Sequence, residues 1–331
     1  MTKLLVDVKS FDDLTSKQIN NVDIWSIPYE LALSDAFQPF VSKEKAELSI
    51  AVTNSKQLLH MTTMQHPIWS KIDYLSISLC ENHLLEDLQN LQQLSDQISL
   101  VASISIKQAK NAALLSRIVS AGFNAIELRP ANNKINLLKQ IDIAFIEKLV
   151  SHIREYHINI SFSGGMEAPD IPRLLPFTPY WLGFNAQNLC AFDESAKLIR
   201  ALIPYEEKQL NTDVPSLGTD RILVSDFIVP MEIGAYAHEA GHKQRVRFNI
   251  AADIERLTKN PEDMSHIFSY DLIMDGIRRL VGLGHVELVE TLAERIANFL
   301  LAYPRVKHVI VRVEKLDLGP GAVGIEIERY K

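Results

Sequence analysis

The chain has 331 residues, 47% of them hydrophobic and 23% charged, and a formal charge of −7 at neutral pH. This is the balance of a folded globular protein, and an acidic surplus without a long basic run argues against general nucleic-acid binding, which needs clustered Lys and Arg. The length predicts two domains, and with no apolar run near the about 18 residues of a membrane span and no signal-like start in MTKLLVDVKSFDD, the expectation is a cytoplasmic protein without membrane partners.

Short β-rich runs open the chain and recur: KLLVDV (3–8), VDIWSI (22–27), LSIAVT (48–53), DYLSISL (73–79), ISLVASI (98–104), NAIELR (124–129), HINISFS (157–163) and YWLGFN (180–185). Helix-like segments lie between them, such as KQAKNAALLSRIVSAG, where Ala112, Leu115, Ile118 and Val119 fall at helical spacing before Gly122. Strand and helix alternating eight times predicts a (β/α)8 TIM-like barrel over 1–204, with a doubly wound open sheet as the alternative. Cys80 and Cys190 are too few for a disulfide framework and read as buried thiols.

Residues 205–218 are polar, contain Pro215 and Gly218, show no period, and read as a linker. From 219 to 331 the order becomes two strands (DRILVSDFIVPMEI, KQRVRFNIAAD), two helices (SYDLIMDGIRRLVGLG, HVELVETLAERIANFLLAY) and two strands (HVIVRVEKLD, AVGIEIERY). Such an order predicts an antiparallel sheet with its helices on one face.

The first strand pair is joined by AYAHEAGHKQ, whose His238, Glu239 and His242 match the H-E-x-x-H text of zinc peptidases. That motif needs a helix, on which residues four apart share a face. Here the following residues alternate polar and apolar as a strand does, and Gly234 and Gly241 bracket the motif as turn residues. No metal site is therefore expected, and Glu239 needs another explanation.

IGAYAHE (233–239), FSYDLI (268–273), LVETLAERIA (288–297), and VRVEK with VGIEIER (311–315, 323–329) occur in the order and near the spacing of dihydroneopterin aldolase, which residues 219–331 resemble. The resemblance implies the tunnelling fold (T-fold), subunits arranged in rings, and active sites between them. It implies retro-aldol cleavage of 7,8-dihydroneopterin, or a phosphorylated form, with no cofactor, metal or Schiff base. By the same resemblance Glu290 anchors the pterin, with Leu288, Val289 and Ala235 around it. Lys315 acts through water on the substrate hydroxyl, aided if an apolar pocket lowers its pKa. Tyr270 donates a proton or packs across the subunit boundary, and Glu239 holds the substrate's polar end or a water. From residue pattern alone, Glu290 equally fits a solvated helix carboxylate beside the stripe Val289, Leu292, Ile296 and Phe299. The alternative for Lys315 is an edge-strand lysine, and that for Tyr270 a core aromatic at a helix start. Ala237 and His238 stand where an aspartate and an aromatic are common, which bears on side-chain specificity.

INISFSGGMEAPDIPRLLPFTPYWLGFNAQNLC (158–190), supported by KLLVDVKSFDD, is similar to (5-formylfuran-3-yl)methyl phosphate synthase, a barrel enzyme. The likeness implies a phosphate cradle from Ser163, Gly164, Gly165, Gly183 and Asn185, although S-G-G alone equally marks a turn. Where that family carries lysines after strands two, four and six, this chain has Ser26-Ile27-Pro28, Ser76, and Asn132-Asn133 before Lys134. The barrel is accordingly expected to be an altered relative that binds a phosphorylated ligand. The functional expectation is a dihydroneopterin aldolase assembled as a tetramer or octamer through its last third. The alternatives are an epimerase of the same side chain, a bifunctional protein retaining furan phosphate synthesis, and a non-catalytic ligand-binding subunit.

Overall fold

The computed structural model describes residues 1–15, 22–35, 37, 46–63, 67–79, 98–132, 135–190, 193–203, 217–236, 239, 241–261 and 264–331. Cys80, Asn133, Lys134, Ala237, His238 and most of the expected linker lie outside them. The chain forms two compact units, Met1–Glu207 and Lys208–Lys331. Among the described residues no helix is long and apolar enough to cross a membrane.

In the first unit β1 (Lys3–Asp7), β2 (Ile24–Pro28), β3 (Glu47–Val52), β4 (Tyr74–Ser78), β5 (Ser99–Ser105), β6 (Ala125–Arg129), β7 (Asn159–Ser163) and β8 (Trp181–Asn185) form a closed parallel barrel in chain order. Closure comes from β8 pairing with β1, Leu5 opposite Gly183 and Asp7 opposite Asn185. Strand side chains alternate, so Leu4, Val6, Ile50, Ile126 and Phe184 face the surrounding helices and join the main core. The segment expected as one helix over 107–122 is broken instead into Ile106–Ala109 and Ala112–Ser120. Ser105 and Gln108 form a capping box on the first piece, and the Asn111 side chain accepts from Leu114 N at 3.2 Å to start the second. Asn competes for backbone N–H groups in this way and restarts a helix rather than continuing it.

The inward side chains stack in layers. At the N-terminal end Lys3 Nζ meets Glu47 at 2.6 Å, and the Tyr74 hydroxyl bonds Glu47 and Tyr180 at 2.9 Å each. Burial first, then these bonds, push the Tyr74 hydroxyl well above its usual pKa. Above lies an apolar layer of Leu5, Ile24, Val101, Ala125 and Trp181. The next layer is charged. Arg129 holds Asp7 through two 3.0 Å bonds and Glu127 through bonds of 2.6 and 3.0 Å. Glu127 also accepts from Ser163 Oγ at 2.5 Å and Trp181 Nε1 at 2.9 Å. Burial opposes ionisation of Glu127, but the Arg129 charge and these donors outweigh it and hold the carboxyl below its usual range.

The second unit is a four-stranded antiparallel sheet in the order β12 (Val323–Tyr330), β11 (Val306–Lys315), β10 (Lys243–Glu255), β9 (Thr219–Glu232). Helices Tyr270–Gly282 and Val289–Leu301 present Ile273, Ile277, Leu292 and Ile296 to the sheet residues Val246, Phe248, Val311 and Val313. On the opposite face one polar side chain from each strand is linked in a row: Arg221 to Asp253 at 2.6 Å, Asp253 to His308 at 2.7 Å, and His308 to Glu328 at 2.8 Å. The bonds from Arg221, against burial, and then from His308 hold the Asp253 carboxyl at about 2. A bulge in β9 places Asp226 at φ 52°, its N–H donating to Asn249 Oδ1 at 2.8 Å.

Two expectations are corrected. The second helix does not start at His285: Val286 N donates to Glu232 O at 3.1 Å and Gly234 N to Val286 O at 2.9 Å. Residue 286 thus pairs with the end of β9, and the helix begins at Val289. Lys315 is not on an edge strand, because β11 is paired on both sides.

Replacing Arg129 by Met would leave two carboxylates with only partial compensation in the barrel interior. Breaking a buried pair in this way costs about 3–5 kcal/mol. Arg129→Met is expected to lower the denaturant midpoint of the barrel by that order, read by Trp fluorescence, since the Trp181 indole bonds the same carboxylate.

Candidate active site

The H-E-x-x-H text falls on the connection from β9 to β10, where the described residues form turns and no helix. Tyr236 O accepts from Glu239 N at 2.9 Å, and Glu239 O accepts from His242 N at 3.2 Å, which folds the connection back on itself. The Glu239 side chain turns inward and is 4% exposed, while His242 is at the surface. Among the described residues no group of three or more His, Cys, Asp or Glu is placed to hold a metal ion.

Three chain segments meet at the Glu239 carboxylate. Lys315, at the end of β11, reaches Oε1 with Nζ at 2.6 Å, and Gln244, at the start of β10, donates Nε2 to the same oxygen at 2.9 Å. Tyr236 N donates to Oε2 at 3.1 Å. Lys315 and Gln244 are each 8% exposed, so this is a buried, charge-paired cluster at the end of the sheet. The bond from Lys315, then those from Gln244 and Tyr236 N, hold Glu239 at about 2 against its burial. Gly234 makes room for it. At φ 140° its backbone lies so close that a Cβ there would meet the Glu239 carboxylate at 2.0–2.4 Å.

The other expected residues make no bond to this cluster. The pairing of Ile233 with Val286 ties the approach to Glu239 to the approach to the second helix. Leu288 follows, 49% exposed at the N-cap, then Val289, half-buried, and Glu290, exposed in the first turn. Leu288 provides no side-chain cap, so the first-turn N–H groups have no side-chain acceptor, and Glu290 sits where the helix dipole favours a carboxylate. Ala235 is exposed. Tyr270 begins the first helix behind the Ser269 cap and is 59% exposed, which removes the core-aromatic alternative.

Gln244 escaped the sequence reading. Its signal was present: in the alternation of β10 it occupies the helix-facing side with Val246 and Phe248, where an amide is out of place unless something polar lies beneath. Its Nε2 also bonds Ile233 O at 2.6 Å, locking the amide between loop and carboxylate.

In the barrel the five residues expected to cradle phosphate are buried or internally engaged. Ser163 Oγ bonds Glu127, Gly164 N donates to Gly183 O at 3.3 Å, and a Cβ at Gly183 would meet Ser163 Oγ at 2.0 Å. Gly165 is packed against the Ile135 carbonyl at φ 58°, and Asn185 is 5% exposed.

Comparison with known proteins sets this geometry in context. The family model described as dihydroneopterin aldolase matches residues 222–328. Among solved structures the chain is similar to the dihydroneopterin aldolase of Burkholderia thailendensis bound to guanine, with 36% identity over 34% of this chain and 93% of that one, TM-score 0.32. It is similar to the E. coli dihydroneopterin aldolase in complex with neopterin, with 25% identity over 33% and 98%, TM-score 0.30. The barrel region aligns with 3-hexulose-6-phosphate synthase from Salmonella typhimurium at 12% identity over 61% and 98%, TM-score 0.45. No match was found among curated proteins.

The depressed value at Glu239 fixes the sign of a pH effect. Its ionisation stabilises the fold fully above the unfolded value of about 4.3 and ceases to do so as pH falls toward 2. Comparing unfolding of wild type and Glu239→Gln between pH 6 and 2 is expected to show this part of the acid destabilisation only in wild type.

Proposed function

The chain belongs to the dihydroneopterin aldolase family through residues 222–328, and from that membership we propose that its C-terminal unit cleaves the side chain of 7,8-dihydroneopterin or a phosphorylated form. The products are 6-hydroxymethyl-7,8-dihydropterin and glycolaldehyde, or its phosphate. The observation that carries this reading is the buried contact of Lys315 with Glu239 at 2.6 Å, an amine held at the end of an inner strand next to an exposed helix start.

The chemistry asks little of the protein. Lys315, which rests as the charged partner of Glu239, takes the proton of the 2′-hydroxyl through a water when in its neutral amine form. The C1′–C2′ bond then breaks and its electrons pass into the ring imine as an enamine, and a proton donor, Tyr270, returns a proton to C1′. The ring is its own electron sink, so neither a metal nor a Schiff base is called for. Both oxygens of Glu239 are already occupied by protein donors, which fits a role in aiming Lys315 more than one in gripping substrate. Glu290 is the anchor. Guanine and neopterin, bound in the two related structures, share a 2-amino-4-oxopyrimidine edge whose adjacent N–H groups suit a carboxylate accepting paired hydrogen bonds.

Exposure supports completion of the site in an oligomer. Tyr270, Glu290 and Leu288 stand at the surface of one chain, and β9 and β12 each have an unpaired edge among the described residues. Supply of Tyr270 by one subunit to the Lys315 of another explains why a tyrosine begins a helix 59% exposed.

Purified protein incubated with 7,8-dihydroneopterin is expected to release glycolaldehyde. Lys315→Ala should lower kcat by about 10²–10⁴-fold, and Glu290→Gln should weaken substrate binding by roughly 10–100-fold. An isomer formed without glycolaldehyde would make the protein an epimerase, and binding without any product a carrier. Sedimentation is expected to find activity only in a tetramer or larger assembly, and an active monomer would contradict the shared site.

A further inference from the structure

Two ion pairs bracket Lys315 along the strands that carry it. Lys315 lies opposite Val246 in the β10–β11 ladder, and the residues on either side of Val246, Arg245 and Arg247, each hold a carboxylate from the end of β11 or just beyond it. Arg247 Nε donates to Glu314 Oε2 at 3.0 Å, and Arg312 Nη2 donates to Glu314 Oε1 at 2.8 Å. Neighbouring strand residues point to opposite faces, so Glu314 is held on the open face of the sheet while Lys315 turns toward Glu239. Arg245 holds Asp317: Nε and Nη2 donate to Oδ1 at 2.9 and 2.6 Å, and the Arg245 backbone N–H donates to Oδ2 at 2.7 Å. Leu316 N donates in turn to Arg245 O at 3.0 Å.

The two pairs differ in what else supports them. Glu314 lies within the ladder, where register with Arg247 on one side and Gly324 on the other already fixes the strand. Lys315 is the last residue of that ladder, and beyond it residues 317–322 are exposed and include Gly319, Pro320 and Gly321, so burial does not hold them. The bonds from Arg245 to Leu316 and Asp317 carry the strand pairing past Lys315. Arg245 also follows Gln244 directly, so one clamp bears on both side chains that donate to Glu239 Oε1. The Arg245 side chain, and then its backbone N–H, hold the Asp317 carboxyl below the usual carboxylate range, which keeps the clamp charged at neutral pH. Stability is a poor reason for it: the Arg245 and Asp317 side chains are 64% and 33% exposed, and exposed pairs add little to folding. Accuracy is a better one, because a misplacement of about 1 Å at a reacting group costs on the order of 10²-fold in rate.

We propose that Asp317, latched to Arg245, is a positioning residue for Lys315: it fixes where β11 ends and so keeps the amine on Glu239 Oε1, in the place from which it reaches the substrate hydroxyl. Asp317 itself touches no reacting atom. The kinetic consequence rests on the aldolase reaction proposed above; the structural one, a Lys315 less firmly held when the latch is broken, does not.

Full-length Asp317→Ala, Asp317→Glu and Arg245→Met are compared with wild type. Asp317→Ala removes every bond to the carboxylate and is expected to lower kcat for glycolaldehyde release from 7,8-dihydroneopterin by about tenfold or more, with KM within about threefold of wild type. Arg245→Met keeps the two backbone bonds, from residue 245 N to Asp317 and from Leu316 N, so its loss should be smaller. Asp317→Glu keeps the charge and should recover part of kcat. All three should melt within a few degrees of wild type. Independently of turnover, acetylation of Lys315 by acetic anhydride, followed by peptide mass spectrometry with Lys307 as internal reference, should be about fivefold or more faster in Asp317→Ala, because the amine spends more time away from Glu239. A wild type that releases no glycolaldehyde would end the aldolase reading, and the labelling would then decide on the latch alone. The proposal is overturned by unchanged labelling of Lys315 in Asp317→Ala, by wild-type kcat in that variant of an active enzyme, or by a loss of kcat matched by a fall in melting temperature.

Discussion

The contact between Glu239 and Lys315 is the constraint on which the C-terminal architecture turns. It joins residues 76 apart in sequence, and it is buried, so neither charge can be left alone without a large desolvation cost. Much of the local structure follows from satisfying it. The connection between β9 and β10 folds back so that its own backbone bonds the carboxylate, Gln244 turns an amide inward where the strand pattern calls for an apolar side chain, and Gly234 gives up a side chain to admit it. The same connection is stitched to Val286, so the start of the second helix is fixed by the hydrogen bonds that frame the ion pair.

This arrangement separates positioning from contact. Glu239 is internal, bonded by Lys315 and Gln244, whereas Glu290, Leu288 and Tyr270 are exposed, which suits the proposed roles of contact with substrate or another subunit. A reaction whose substrate carries its own electron sink needs an accurate grip and two proton transfers more than a strong electrophile. The barrel shows the opposite economy. At its β6 end a guanidinium is spent on two carboxylates, and Ser26 and Ser76 are buried strand serines where the furan synthases were expected to carry lysines.

Much of the fold was legible because periodicity reports burial. Eight runs alternating or continuously apolar became the eight barrel strands, and the strand, strand, helix, helix, strand, strand order of the last third became one sheet covered on one face. What periodicity does not report is which strands are neighbours. The edge-strand alternative for Lys315 stayed open in the sequence because order within a sheet is a tertiary fact, and pairing of β11 with both β10 and β12 closes it. Local competition for hydrogen bonds was hidden for a related reason: Asn111 and Val286 each sit in helix-compatible text, and each is diverted by a partner the pattern does not name. Of the site, Glu239 and Lys315 were expected separately, and their pairing was not. Gln244 and the Asp7, Glu127 and Arg129 triad were overlooked although inward polar residues on strands announce a buried network.

The apolar layer of Leu5, Ile24, Val101, Ala125 and Trp181, closed beneath by Lys3, Glu47, Tyr74 and Tyr180, makes the barrel a cup with a solid base. Nothing can pass through it, so anything that enters by the strand ends must leave the same way, in reverse order of arrival. A channel that hands an intermediate from one face to the other is thereby ruled out for this unit. Any traffic it supports is exchange at a single doorway.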